Sequence, residues 1–308
     1  MPSHRFRTLA GAVLATVLAT ATAAAAEPIK LNLGYGITSD FLPAFVAKDD
    51  GFFAAHGLDV NMIVVTSSSL APPALIGRSL DISQMTPPNL LLAYEGGLDL
   101  VSVAGIGRLT AKNPRTSLIT RVGVTVTKPE DLRGKTIAVP GINSALDLML
   151  RKWLLDAKVP LDQVTIVETP FQQMGDRLKS GQLDAAFQFE PLLSRILASG
   201  TAVKSVDIMS VENPDALGAF WGATRDWAKA NKPAVDAFRA ALAAAIDFMT
   251  QHPGDAHKIE AKYLGYATPT LPDAALKVTP GDFVFWADAC REVGLLHRPV
   301  DAANLILP

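Results

Sequence analysis

Short apolar strands and amphipathic helices alternate along most of this chain, and this order constrains the fold more than any other feature. The pattern begins with "IKLNLGYG" at 29–36, "FLPAFVAKDDGFFAAHG" at 41–57 and "LDVNMIVVT" at 58–66, which predict a strand, a helix and a strand. A helix over "SSSLAPPALIGRS", a strand over "LDISQM" and a helix over "PPNLLLAYEGG" follow. Such an alternation predicts a doubly wound α/β lobe with a mostly parallel sheet.

A second series of the same kind starts after a polar, proline-containing stretch around 107–130. Strands over "KTIAVPG", "QVTIVET" and "LDAAFQF" alternate with helices over 144–157, "FQQMGDRLKSG" and "EPLLSRILASG". The chain then continues with a strand, "LGAFWGAT", and a long alanine-rich helix that ends at Pro253 and Gly254. The second series therefore predicts a second α/β lobe.

We expect the C-terminal part to pack back on the first lobe. Two strands, near 117–121 and near 219–224, would then cross between the lobes and form a hinge. The predicted division is 27–115 with 213–308 for the first lobe and 116–212 for the second.

The N-terminal segment, residues 1–26, has the composition of an export signal. Arg5 and Arg7 precede a run of Ala, Val, Leu and Thr, and the segment ends in Ala24, Ala25 and Ala26. The apolar run is short for a membrane anchor, which is the alternative interpretation. We therefore predict a signal peptide cleaved near Ala26 and a mature protein located in the periplasm.

Charge and motif content favour binding over catalysis. The net charge is -2, with no long run of one sign, so neither nucleic acid nor a membrane surface is an expected partner. The chain lacks G-x-S-x-G, H-E-x-x-H and P-loop motifs, and its only cysteine, Cys290, has no histidine near it in sequence. We predict no catalytic residue, metal or cofactor, and a small-molecule ligand.

Polar residues at the carboxyl ends of the predicted strands indicate where that ligand binds. In an open α/β sheet, loops and helix N-termini at these ends gather ligands. Asn143 and Ser144 begin one such helix, and they either cap it or also contact ligand. Asp40 and Glu190 likewise either pair with an amino group on the ligand or stabilise a helix start. The candidate ligand-binding residues are Tyr35, Thr38, Asp40, Phe41, Ser67, Ser68, Ser69, Thr86, Asn89, Asn143, Ser144, Phe189, Glu190 and Trp221.

The segments "GFFAAHGLDV", "EDLRGKTIAVPG", "GQLDAA" and "EPLL" carry a family resemblance. In this order and spacing, the chain resembles the substrate-binding proteins of ABC importers for nitrate, sulfonate, taurine and thiamine-precursor pyrimidines. The resemblance implies a type II periplasmic binding protein fold, with two doubly wound α/β lobes joined by a two-strand hinge around a ligand cleft. It also implies delivery of ligand to a membrane permease and its ATPase. The pocket loops it implies are 38–41, 67–69, 86–89, 141–144 and 189–190, which add Gly141 to the candidates.

The predicted function is capture of a small polar organic solute for import. The implied loops contain no arginine, and their two carboxylates favour an amino-bearing or heterocyclic ligand, so a sulfonate, a taurine-like compound and a pyrimidine all stay open. One alternative is an enzyme on the same fold, of the lyase or thiamine-pyrimidine synthase type, although the synthase relies on a cysteine-rich motif. Another is a ligand-sensing module for a membrane receptor. We expect a monomer.

Overall fold

The structure is a computed structural model that describes residues 27–213 and 215–308. The predicted signal peptide, residues 1–26, lies outside these ranges. Within them, none of the helices has the length and hydropathy needed to span a membrane.

The first part of the chain alternates strands and helices as predicted, with two differences. The predicted helix over 41–57 is interrupted at Gly51, whose positive φ of 77° ends one helix and starts another. The strand over 100–110 was not predicted, because its first eight residues are all buried and give no alternation. The elements are β1 (Ile29–Tyr35), α1 (Leu42–Asp49), α2 (Phe52–Ala55), β2 (Leu58–Val64), α3 (Ala71–Ile76), β3 (Ile82–Met85), α4 (Pro87–Glu95) and β4 (Leu100–Thr110).

The second series follows the predicted order closely. The helix predicted over 144–157 spans 145–156, because its apolar residues face the core at three- and four-residue steps. The elements are β5 (Thr116–Arg121), β6 (Thr136–Val139), α5 (Ala145–Asp156), β7 (Thr165–Glu168), α6 (Phe171–Lys179), β8 (Ala185–Phe189), α7 (Leu192–Ala198), β9 (Ala202–Lys204) and α8 (Ile208–Glu212).

The C-terminal part contains one long strand and a group of helices. Pro253 follows the predicted alanine-rich helix but also begins the next one, since a missing N–H costs nothing in a first helical turn. The elements are β10 (Asp215–Thr224), α9 (Arg225–Ala230), α10 (Lys232–Gln251), α11 (Pro253–Leu264) and α12 (Gly281–Glu292).

The described strands form two five-stranded sheets of the same design. The first has the order β2-β1-β3-β10-β4 and the second β7-β6-β8-β5-β9. In each sheet the first three strands are parallel, and the fourth is antiparallel to both of its neighbours. The predicted fold of two α/β lobes is therefore confirmed. We call the bodies around these sheets the first and second lobes.

The passages between the lobes fall slightly earlier than predicted. The strands expected to cross, near 117–121 and 219–224, are β5 and β10, and each lies in one sheet. The chain therefore changes lobes between β4 and β5 and again between β9 and β10. β4 and β10 pair from Thr110–Asp215 to Leu100–Thr224. Their paired ends place the two passages side by side, as a hinge requires.

One apolar cluster runs through both lobes beside this hinge. It includes Leu90 of α4, Leu146 of α5 and Trp286 of α12. The Trp286 indole N–H donates to the carbonyl of Leu217 in β10 at 3.0 Å. The helices α4, α5 and α12 therefore pack against one another across the two lobes.

Candidate ligand-binding site

A cavity lies between the lobes at the carboxyl ends of the parallel strands. The first lobe contributes the segments after β1 and β2 and the end of β3, and the second contributes the segments after β6 and the end of β8. Part of its wall comes from β4 and β10. The lining residues are Gly36, Ile37, Thr38, Asp40, Phe41, Val65, Thr66, Ser67, Ser68, Gln84, Thr86, Leu109, Pro140, Ser144, Ala145, Leu146, Phe171, Phe189, Gly218 and Ala219.

Hydroxyl residues that begin helical segments face this cavity. Thr38, Ser67, Thr86 and Ser144 all line it, and each is the N-cap residue of the helical segment that follows. Ser144 Oγ accepts the Asp147 N–H at 3.5 Å, and Ser67 Oγ accepts the Ser69 N–H at 3.3 Å. A hydroxyl that accepts one hydrogen bond can still donate another. Capping and ligand contact, the two alternatives for Ser144, are therefore compatible.

Polar contacts join the two lobes around the cavity. The Ser39 N–H donates to the carbonyl of Glu190 at 3.1 Å. The Asn89 amide donates to the carbonyl of Asn143 at 3.2 Å, and Ser69 Oγ donates to Glu168 Oε1 at 3.3 Å. The structure is therefore a closed arrangement.

Asp40 lines the cavity but already has a cationic partner. Arg115 Nε donates to Asp40 Oδ1 at 2.8 Å, and the same buried guanidinium donates to Ser39 Oγ and to the carbonyl of Thr270. Burial raises the pKa of Asp40, and the Arg115 guanidinium opposes that rise. Arg115 was missed in the sequence because it stands in the polar stretch around 107–130, far from the predicted loops.

Glu190 lies outside the cavity lining and caps its own helix. Its Oε2 accepts the Ser194 N–H at 3.2 Å, and its Oε1 accepts the Ser194 hydroxyl at 2.8 Å. These contacts fit the helix-stabilising alternative that the sequence left open for Glu190, and its contact with ligand stays a prediction.

Several of the predicted ligand-binding residues do not line the cavity. Trp221 is buried and packs edge-on against Phe41, with ring centroids 5.6 Å apart. Tyr35 packs against Phe45 in the same way at 5.3 Å. Ser69, Asn89, Gly141 and Asn143 lie where the lobes meet. These residues shape the cavity through their neighbours, and their contact with ligand stays a prediction.

Gln84 is the lining residue of most interest that the sequence analysis missed. It lies in β3, pairs with Trp221 of β10 and is 7% exposed. The available signal was a polar residue inside the short apolar strand "DISQM". Burial of an amide without hydrogen-bond partners destabilises the folded state, so its presence here indicates a role in ligand binding.

Two mixed α/β lobes with a cavity lined from both sides define a two-lobed solute-binding protein. The sequence profile of the NMT1/THI5 like family matches residues 38–256, and the chain belongs to this family.

Several similar proteins are named as binding proteins. A protein of Brucella abortus named as a binding protein is 28% identical over 248 residues, which are 78% of this chain and 73% of that protein. The alkanesulfonate-binding protein SsuA from Xanthomonas axonopodis pv. citri, bound to MOPS, has a TM-score of 0.77 at 20% identity and covers 92% of this chain and 99% of its own. The periplasmic nitrate-binding protein NrtA from Synechocystis PCC 6803 has a TM-score of 0.76 at 15% identity, covering 90% and 84%. These relationships confirm the predicted resemblance and the prediction of a binding protein, not an enzyme.

Proposed function

We propose that the protein captures a small polar organic solute in the periplasm and delivers it to an ABC import permease and its ATPase. The range of solutes is the one predicted from the sequence: a sulfonate, a taurine-like compound, or a pyrimidine or other heterocycle. The observation that carries the proposal is a cavity whose polar lining comes from both lobes, with Thr38, Ser67 and Ser68 on one side and Ser144 on the other. The protein acts as a monomer, exported by the signal peptide over residues 1–26.

Lobe closure is the proposed working step. The moving bodies are 27–115 with 213–308 and 116–212, which turn about the passages beside β4 and β10. An open form offers half of the site on each lobe, and a ligand that contacts both halves shifts the population to the closed form. The permease then recognises the closed form, so binding energy is used for closure and not for bond making.

Native mass spectrometry of the mature protein, expressed with its own signal, tests this proposal. We expect one small molecule per chain, which is released unchanged when the protein is denatured. A radiolabelled sample of the identified solute should enter wild-type cells and not cells that lack the protein.

Two outcomes would contradict the proposal. Recovery of a chemically altered product would indicate an enzyme. Unchanged uptake together with a lost transcriptional response in the deletion strain would indicate a sensing module.

A further inference from the structure

We propose, on the basis of the proposed function, that the ligand is an uncharged molecule that carries a hydrogen-bond donor next to an acceptor. Gln84 is then a specificity-determining residue, because its side-chain amide binds this donor and acceptor. Within the proposed range of solutes, a pyrimidine or another heterocycle meets this description.

Gln84 lines the cavity, and its side-chain amide makes no hydrogen bond to the rest of the described protein. Among the hydrogen bonds of the described residues, none involves its side-chain nitrogen or oxygen, and the Ser83 hydroxyl reaches only its backbone carbonyl. The two groups lie side by side on one planar amide, one donating and the other accepting. They match a ligand edge that carries an acceptor next to an N–H group, as in a carboxamide, a lactam or an amino-substituted nitrogen heterocycle.

Two further lining hydroxyls are also unpaired and uncharged. Thr38 and Ser68 are 7% and 9% exposed, and the described part of the chain offers their side-chain oxygens no partner. Each can donate one hydrogen bond and accept others. Together with Gln84, they supply neutral polar groups and no net charge.

The charge balance of the lining disfavours an ionic ligand. Asp40 is the one ionisable side chain among the described lining residues, and Arg115 behind it compensates its charge. A sulfonate or another anion would meet no free cation there. A cationic ligand would have to compete with a buried guanidinium for Asp40.

The helix N-termini at the cavity are also largely occupied from within the protein. The start of α5 already holds the buried carboxylate of Asp147, which accepts the Asn143 N–H at 2.7 Å. The helix α4 begins with Pro87 and Pro88, which have no N–H to offer an anion. The positive ends of these helices therefore provide little binding for a negatively charged ligand.

Aromatic rings complete the match to a planar ligand. Phe41, Phe171 and Phe189 line the cavity, with the last two packed edge-on at 6.3 Å between centroids. Their faces and edges suit an aromatic or conjugated body attached to the polar edge.

Small molecules that differ in charge test whether the ligand is uncharged. Mature protein, freed of bound solute by unfolding and refolding, is titrated by calorimetry with benzamide, nicotinamide, cytosine and uracil, all uncharged at pH 7. The charged set is benzenesulfonate, benzoate, nitrate and benzamidinium, together with taurine, a zwitterion that carries one charge of each sign. The solute identified by native mass spectrometry is included. We expect the tightest binder to be uncharged. If a charged compound binds most tightly, the ligand is not an uncharged molecule, but the proposed function stands. If no solute is found by mass spectrometry and no compound of either set binds, the proposed function itself is contradicted.

Substitution of Gln84 tests its role with that tightest binder. We expect Gln84→Leu to weaken binding by about tenfold to a hundredfold, because the ligand's polar edge loses both partners. Gln84→Glu should weaken it similarly, since it removes the donor and adds a charge. Gln251→Leu, at the exposed end of α10, is the control and should bind as wild type does.

Thermal unfolding without ligand separates this role from a structural one. Gln84→Leu should keep or raise the Tm, because the amide it removes has no partner. Gln188→Leu should lower the Tm, because the Gln188 amide donates to the Phe171 carbonyl and accepts the Phe189 N–H, both at 3.0 Å. If Gln84→Leu fails to fold, Gln84→Met serves in its place. Wild-type affinity in a folded Gln84 variant would overturn the role of Gln84.

Discussion

Asp147 is fully buried near the start of α5, where both of its carboxylate oxygens have partners. Oδ2 accepts the Asn143 N–H at 2.7 Å, and Oδ1 accepts from Arg151 Nε at 2.9 Å. We expect Asp147→Asn to lower the free energy of unfolding by about 2–3 kcal/mol, because it removes a buried charge from a helix start and from its ion pair. Urea unfolding followed by circular dichroism measures the change.

Asp156 on the same helix is the matched control. It pairs with Lys152 one turn earlier but is half-exposed, so Asp156→Asn should change the free energy of unfolding by less than about 0.5 kcal/mol. Equal effects of the two substitutions would contradict the importance of burial at Asp147.

Cys290 gives a second prediction at the scale of one residue. Its side chain is buried in α12, and burial raises the pKa of the thiol to about 12. At pH 8 the folded protein therefore holds a covered, protonated thiol, whereas an unfolded cysteine with a pKa of about 8.5 is partly ionised. A disulfide reagent such as dithionitrobenzoate should react promptly in urea and hardly at all without it. Equal rates in both conditions would show that α12 opens readily.

At the scale of helices and strands, the sequence predicted most elements because each is amphipathic or bounded by Gly and Pro. The helix α5 was placed within a residue at each end by its apolar spacing. β4 was missed because a strand buried on both faces has no alternation to detect. The split between α1 and α2 depends on the backbone conformation of Gly51, which composition alone does not reveal.

Glu168, the last residue of β7, connects three separate segments at the edge of the cleft. Its Oε1 accepts from Ser69 in the first lobe, and its Oε2 accepts the Ile142 N–H in the second. We expect Glu168→Ala to weaken ligand binding by about two- to tenfold, because one contact of the closed form is lost. Calorimetric titration with the solute identified by mass spectrometry measures the effect.

Glu130→Ala removes the same charge from the same lobe, at an exposed position, and is the control for Glu168→Ala. It should leave affinity unchanged. A similar loss in both variants would assign the effect to net charge and not to the contact between Glu168 and Ser69.

At the scale of the whole molecule, part of the candidate site could be predicted from the ends of the predicted strands. The rest depends on long-range packing. Ser67 and Ser144 were found because loops after parallel strands meet at one edge of a sheet. Arg115 and Gln84 were not, because their importance depends on which distant segments fold against them. Spacing along the chain carries no information about such partners.

Gly141 lies where the two lobes meet, and a substitution at this position tests closure. A Cβ atom at this position would lie 2.6 Å from Ser67 Oγ on the facing lobe, which is too close for a real contact. Ser67 Oγ cannot turn away freely, because it caps the Ser69 N–H and is 2.7 Å from Ser69 Oγ. We expect Gly141→Ala to weaken ligand binding about tenfold through strain that arises only when the lobes close. Small-angle scattering should show less contraction on ligand addition than in wild type.

The clash also predicts a rescue, which distinguishes it from a general loss of stability. Ser67→Ala removes the oxygen that the new Cβ meets, so the double variant should contract more on ligand addition than Gly141→Ala alone, although it lacks one helix cap and one hydroxyl of the cavity lining. Gly254→Ala, where the added Cβ meets open space, should behave as wild type. Wild-type affinity and contraction in Gly141→Ala would mean that the ligand-bound form is more open than this structure. Failure of Ser67→Ala to restore this contraction would place the strain elsewhere in the loop after β6.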